Sequence, residues 1–169
     1  MKKLILFTSF AALVLLTACP YEAKFALGKA DACKIDSALL GKWLYINPPK
    51  SAETPSDTDY YNVMPFNATE YFIQTGDFKN GVEKPDRAQL RAFETKIGKH
   101  RILNITEIGE NQFSFYKFTF EGEKLKISFL SDEFIKQQFT SSAELNKFVT
   151  KNINEKTIFE DNIVFTKVK

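Results

Sequence analysis

The chain has 169 residues, 44% of them apolar, with 23 basic against 21 acidic side chains and a formal charge of +2. That length and apolar content suit one domain with a single core. The near balance of charge lacks the basic footprint of a nucleic-acid binder, and two cysteines are too few for a disulfide framework.

The first element reads as an export signal. Lys2 and Lys3 give a positive start, Leu4 to Leu16 are an apolar core, and small residues follow at Thr17 and Ala18. A spanning helix needs about 20 apolar residues, and this run gives out at Cys19-Pro20. The tetrapeptide Leu16-Thr17-Ala18-Cys19 resembles the bacterial lipobox. That resemblance implies a lipoprotein signal peptide over residues 1–18 and lipid attachment at Cys19, the first mature residue. The alternative is an ordinary signal peptide cut near Ala18, with Cys19 incidental. Each buried methylene contributes about 0.8 kcal/mol, so two or three acyl chains hold durably where one is marginal. Loss of Lys2 and Lys3 also brings basic and acidic residues into balance. Pro20 stands where such lipoproteins carry aspartate for inner-membrane retention, so the expected place is the cell envelope, with the outer membrane favoured if the host has one.

Residues 19–35 mix charge, Ala and Gly without a sustained period and read as a lipidated tether. Cys33 within it has no histidine near in sequence and reads as an incidental thiol. The domain proper is expected over residues 36–169. Asp36 or Ser37 caps a short apolar turn ending at Leu40, Gly41 stops it, and a strand starts at Lys42. Asn47 to Asp57 holds three of the six prolines and reads as a long exposed loop.

Apolar, aromatic and β-branched runs then predict strands at Tyr60 to Pro65, Thr69 to Thr75, Leu90 to Ile97, Arg101 to Ile108, Gln112 to Phe120 and Lys124 to Leu130. Asp77 to Gln89 is left as a loop. In the last of these strands Leu125, Ile127 and Phe129 share one face while Lys124, Lys126 and Ser128 share the other. A shorter helical turn is expected from Asp132 to Gln138, with Phe134 and Ile135 turned inward. Ser141-Ser142-Ala143-Glu144 fits a capping box, and Leu145, Phe148, Val149 and Ile153 follow at helical spacing. A final strand runs from Ile163 to Val168. The expected fold class is mainly β: an antiparallel barrel of seven to nine strands with one amphipathic helix before the last, closed so that no edge stays exposed.

The stretch "LLGKW", a short turn followed by Gly-x-Trp at the head of the first strand, resembles the opening of lipocalins and their relatives. The resemblance implies that Gly41 and Trp43 form the barrel base, with Trp43 plugging the closed end. The family also commonly places an arginine near the chain end to pack against the tryptophan, and this chain departs from that pattern, offering only Lys167 and Lys169 there. Thr58-Asp59-Tyr60 spells a lipocalin motif that belongs late in the barrel, and here it reads as coincidence. From "TACPYEAK" through "LLGKW" to "FETKIGKHRILNI", the chain looks like small bacterial lipoproteins with such a barrel.

Residues able to carry chemistry are scarce. His100 is the single histidine and, beside the Gly98-Lys99 turn, reads as solvated; a transition-metal site is not expected. Glu107 with Glu110 and Asp57 with Asp59 are close in sequence but sit in apparent turns, and carboxylate pairs act only when they face each other across a cleft. Phosphate loops and nucleophile elbows are absent from the sequence. The sequons at Asn67-Ala68-Thr69 and Asn104-Ile105-Thr106 are assigned no function. No catalytic residue, metal or cofactor is assigned, and an enzyme is not expected. Aromatics are the excess, with 17 Phe, six Tyr and one Trp; they either fill the barrel or line a cavity. The first expectation is therefore a binding module for a small apolar or amphipathic ligand. The alternative is a filled barrel that presents Asn47 to Asp57 and Asp77 to Gln89 to an envelope protein, as an inhibitor, immunity or assembly lipoprotein.

Overall fold

A computed structural model describes residues 20–46, 58–79 and 82–168. The leader, Cys19 and the Asn47 to Asp57 loop lie outside the described residues. The order of elements is β1 (Glu22–Ala23), a 3-10 turn (Ser37–Leu39), β2 (Gly41–Ile46), β3 (Thr58–Pro65), β4 (Glu70–Lys79), β5 (Val82–Ile97), β6 (His100–Glu107), β7 (Phe113–Glu121), β8 (Lys124–Leu130), α1 (Ser142–Asn152) and β9 (Phe159–Lys167). From β2 onward each strand pairs antiparallel with its successor, and β9 returns to β2 through Trp43 opposite Lys167, closing an eight-stranded barrel. The fold is mainly β, with its single helix before the last strand, as the alternating pattern predicts. No described helix is long and apolar enough to cross a membrane.

The segment Asp77 to Gln89 is not a loop. Strands β4 and β5 continue through it as a hairpin, pairing Gly76 with Pro85 and Lys79 with Val82. The register shifts between Gln74 and Gly76, and a Cβ at Gly76 would collide with the Lys84 carbonyl oxygen and the Tyr60 ring. Glycine is thus what lets two backbones approach at the bulge. Leu90 is the first β5 residue paired with β6. Before it β5 has one unpaired edge, where proline's missing N–H is tolerated.

A second core lies outside the barrel. Alternation along β5 to β8 turns Ile97, Ile102, Phe115 and Leu130 outward, and α1 covers them with Leu145 and Val149, both fully buried. Each buried aliphatic side chain contributes about 1.5–3 kcal/mol. Ser141 Oγ caps the helix by accepting from Glu144 N at 3.2 Å. The Glu144 carboxylate accepts in return from Thr140 N at 3.0 Å and Thr140 Oγ1 at 2.7 Å, so the reciprocal bond falls one residue before its usual place. The expected helical turn is present but short: Ile135 N donates to the Ser131 carbonyl at 3.2 Å across residues 132–134, Ser131 Oγ accepts from Glu133 N at 3.1 Å, and the chain is irregular from there to Gln138. Ile135 is buried all the same, and Phe134 packs against the same core.

The supposed tether also packs there. Tyr21, Ala23 and Leu27 are buried in the second core, and Glu22–Ala23 pair with Ser114 and Phe113 of β7. Asn104 and Thr95, neighbours on the outer face of the β5–β6 hairpin, clamp the Leu27 backbone. Leu27 N donates to Asn104 Oδ1 at 2.6 Å, and Thr95 Oγ1 donates to the Leu27 carbonyl. Asn104 Nδ2 donates to Thr95 Oγ1 at 3.0 Å, which fixes the pair. Burial and these bonds hold a segment whose sequence has no regular period.

Asn104→Ala leaves the fully buried Leu27 N–H unbonded, and we expect about 1–3 kcal/mol of destabilisation in denaturant unfolding. Amide exchange should accelerate over residues 20–34 well before the barrel hairpins. Unchanged exchange in that segment would show that the clamp does not hold it.

Candidate ligand cavity

The inward-facing side chains form three layers. At the floor, the 3-10 turn lies across the end of the barrel where β2 begins. Asp36 caps it, its Oδ1 accepting from Ala38 N at 2.9 Å. Trp43 is 2% exposed, and its Nε1 donates to the Leu39 carbonyl at 2.8 Å. Asp36 N donates to Tyr71 Oη at 2.6 Å, and Lys167 Nζ donates to the Ala38 carbonyl at 2.9 Å. The same ammonium stands 5.1 Å from the centre of the Trp43 ring, so a lysine supplies the cation beside the tryptophan. Gly41 takes φ +116, a backbone conformation that turns the chain from the 3-10 turn into β2.

Sequence reasoning missed the charges beneath this turn. Glu94 is 2% exposed and faces the interior from β5. Arg101 on β6 donates to it through Nε at 2.9 Å and Nη2 at 2.6 Å. Arg101 Nη2 also lies 2.8 Å from Asp36 Oδ2, and its guanidinium stacks 4.5 Å from the Phe118 ring centre. The signal was available as a charged residue on each of two otherwise apolar strand faces: Leu90, Ala92 and Glu94 on β5, and Arg101, Leu103 and Ile105 on β6. These partners raise the Arg101 pKa further above its ordinary value, Glu94 first. The Ala38 amide, and after it the Arg101 guanidinium, hold the Asp36 carboxyl below its ordinary 3.8 against partial burial.

Above the floor the walls are aliphatic, with Val63, Ile73, Leu103, Leu125, Ile127 and Ile163 facing inward. They leave an elongated space of about 520 Å³. Near its far end the lining becomes mixed, with Asp59, Tyr61, Thr75 and Tyr116 beside Phe129 and Pro20. Burial pushes the Tyr116 phenol above its ordinary 10.0, so it is neutral over the physiological range. The arrangement is an apolar sleeve, closed by hydrogen-bonded groups at one end and bordered by hydroxyls and a carboxylate at the other. Among the described residues that line it, no nucleophile is paired with a base.

Of the other candidate residues, Asp59 alone among those described borders this space. His100 is half-buried at the foot of β6, opposite Ile97 in the ladder and not at the tip of the turn, with Nε2 buried and unbonded; the expected solvation is not found. Glu107 and Glu110 are exposed in the β6–β7 turn, Glu110 N donating to the Glu107 carbonyl at 3.0 Å. Asp59 borders the cavity, whereas Asp57 lies outside the described residues. Cys33 is a half-buried free thiol. Asn67 Oδ1 caps the β3–β4 turn by accepting from Thr69 N at 2.8 Å and Glu70 N at 3.0 Å, and Asn104 is fully buried, so both sequon asparagines have structural work. Among the described residues no group of three or more His, Cys, Asp or Glu side chains is placed to hold a metal ion.

Arg101→Met strands the buried Glu94 carboxylate, and we expect a loss of about 3 kcal/mol that the Glu94→Gln, Arg101→Met double variant largely recovers. Because the folded-state pKa of Asp36 is depressed, its stabilisation is complete above 3.8 and disappears as pH falls through the lower folded value. The Tm advantage of the native chain over Asp36→Asn should therefore be constant near neutrality and shrink only below 3.8. An advantage that faded well above that value would assign the effect to another group.

No protein-family model matches the chain, and no curated protein matches it. Among solved structures, it is similar to the crystal structure of secretory abundant heat soluble protein 4 from Ramazzottius varieornatus, at 13% identity across 82% of this chain and 100% of that one, with a TM-score of 0.41.

Proposed function

We propose that this chain is a lipid-anchored lipoprotein of the bacterial cell envelope, favouring the outer membrane where there is one. In this reading its lipocalin-like barrel holds one small apolar or amphipathic molecule and performs no chemistry on it. The observation that carries the reading is the aliphatic cavity of about 520 Å³ above a closed floor. Ligand pockets fall at about 300–1,000 Å³, with apolar walls and a few polar groups that set orientation. Here Asp59, Thr75 and Tyr116 occupy the latter role, at the end where a polar head would sit. The leader and Cys19 support the anchor. The protein-interaction reading expected a filled barrel presenting Asn47 to Asp57 and Asp77 to Gln89; the second stretch is a hairpin, and the first lies outside the described residues.

Native mass spectrometry of residues 20–169, against the denatured mass, tests the reading. A discrete adduct lost on denaturation is expected, either as purified or after incubation with envelope lipid extract. Val63→Phe with Ile73→Phe should fill the sleeve and abolish the adduct while the circular dichroism spectrum is kept. A chain that stays bare after that incubation would overturn the carrier reading.

A further inference from the structure

We infer that the end of the barrel opposite Trp43 rests on the membrane surface, so that the cavity exchanges its cargo directly with the bilayer. This rests on the proposed acylation of Cys19 and adds where that anchor places the cavity. Pro20 is fixed at the barrel: it forms a bridge with Ser131 just beyond β8, and Tyr21 N donates to the Leu130 carbonyl at 2.7 Å. Glu22 and Ala23 then add to β7 at a level where its pairing with β8, last seen at Tyr116 opposite Phe129, has ended. Pro20 itself lines the cavity. Consecutive Cα atoms lie about 3.8 Å apart, so a lipid on Cys19 starts at the cavity rim with no leash between.

The chain direction shows which rim this is. The last residues of β2, β4, β6 and β8 and the first residues of β3, β5 and β7 all lie at the end away from the 3-10 turn. Two exposed aliphatic side chains occupy tips at that same end: Val82 on the hairpin, 59% exposed, and Ile108 after β6, 49% exposed. Lys84 is exposed beside Val82, within reach of lipid phosphates, while Glu107 and Glu110 beside Ile108 confine insertion to the tips. The floor end has exposed apolar groups too, Phe66, covered on one side by the Arg91 guanidinium at 4.7 Å, and Val168, 43% exposed, so it is the place of Pro20 that distinguishes the two ends. Glu94, Arg101 and Trp43 close the floor end to any ligand. An apolar cargo that moved between bilayer and sleeve across the rim would never re-expose its methylenes to water.

The test uses the full chain made in a bacterial host and reconstituted into phosphatidylethanolamine–phosphatidylglycerol vesicles. Single fluorophores go on Val82→Cys, Ile108→Cys, Lys99→Cys or Val168→Cys in a Cys33→Ser background, with quenchers on the lipid chains and the intact mass measured in parallel. We expect several-fold stronger quenching at Val82→Cys and Ile108→Cys than at the two floor-end sites. An acylated chain quenched equally at both ends, or more at the floor, overturns the orientation and leaves the anchor standing. A chain whose mass carries no acyl groups overturns the anchor and the orientation with it.

Discussion

Glu94 is a carboxylate inside an apolar barrel, and Arg101 meets both of its oxygens. Taking such a charge out of water is unfavourable unless its partner is well aligned, and bidentate geometry is the arrangement that achieves this. The guanidinium then reaches Asp36 and lies on Phe118, while Asp36 caps the turn that carries Leu39. Tyr71 of β4, Trp43 of β2 and Lys167 of β9 each bond to the same short segment. Four strands spread around the barrel therefore converge on one polar patch, and the floor is rigid because every one of these groups is satisfied. A barrel closed in this way at one end can admit a ligand only from the other. The asymmetry of the fold follows from a single buried ion pair.

The outer face of the sheet poses the complementary problem. Alternation that supplies an interior also turns Ile102, Phe115 and Leu130 outward, and a sheet face that apolar must be covered. Helix α1 covers part of it and the N-terminal segment covers the rest. The segment brings only Tyr21, Ala23 and Leu27 to the contact, so its attachment depends on Asn104 and Thr95 meeting the Leu27 backbone. Leu27 thus joins the N-terminal segment to the centre of the sheet, and Pro20 is held at the rim by its bridge to Ser131 and the neighbouring bond from Tyr21 N to the Leu130 carbonyl.

Period-two patterning was enough to read β3, β6, β7 and β8 to within two residues and parts of β4, β5 and β9, and a capping box with helical spacing was enough to read the helix, because each buries one face. It failed where tertiary context decides. The β4–β5 hairpin contains Gly76, Pro85 and several charges, which locally signal a loop; it persists because its pairing is supplied by β3 and β4, and because Tyr60 covers the glycine. The segment 20–34 failed for a similar reason: a two-residue strand has no period to detect, and the clamp forms only once the register brings Phe93 opposite Asn104 and turns Thr95 and Asn104 to one face. In the site, Trp43 stood out by motif. Glu94 and Arg101 lie seven residues apart across a turn, a spacing that surface ion pairs share, and only the closure of the sheet into a barrel puts the face they share on the inside.

The aromatic excess had two readings, a filled interior or a lined cavity, and the structure shows why composition could not choose between them. Phe113, Phe115, Phe134, Phe139, Phe148 and Phe159 all belong to the outer core. Inside, Phe118, Phe120 and Phe165 take positions low in the barrel, with Phe129 high, and Tyr61 and Tyr116 share the wall with branched aliphatics. The interior of an eight-stranded barrel has a size fixed by strand number and tilt. With six phenylalanines committed outside, the side chains that remain inside leave a space of about 520 Å³. An apolar space of this size forgoes the contacts that a packed interior would make, and in the proposed reading an apolar guest would restore those contacts without disturbing the floor.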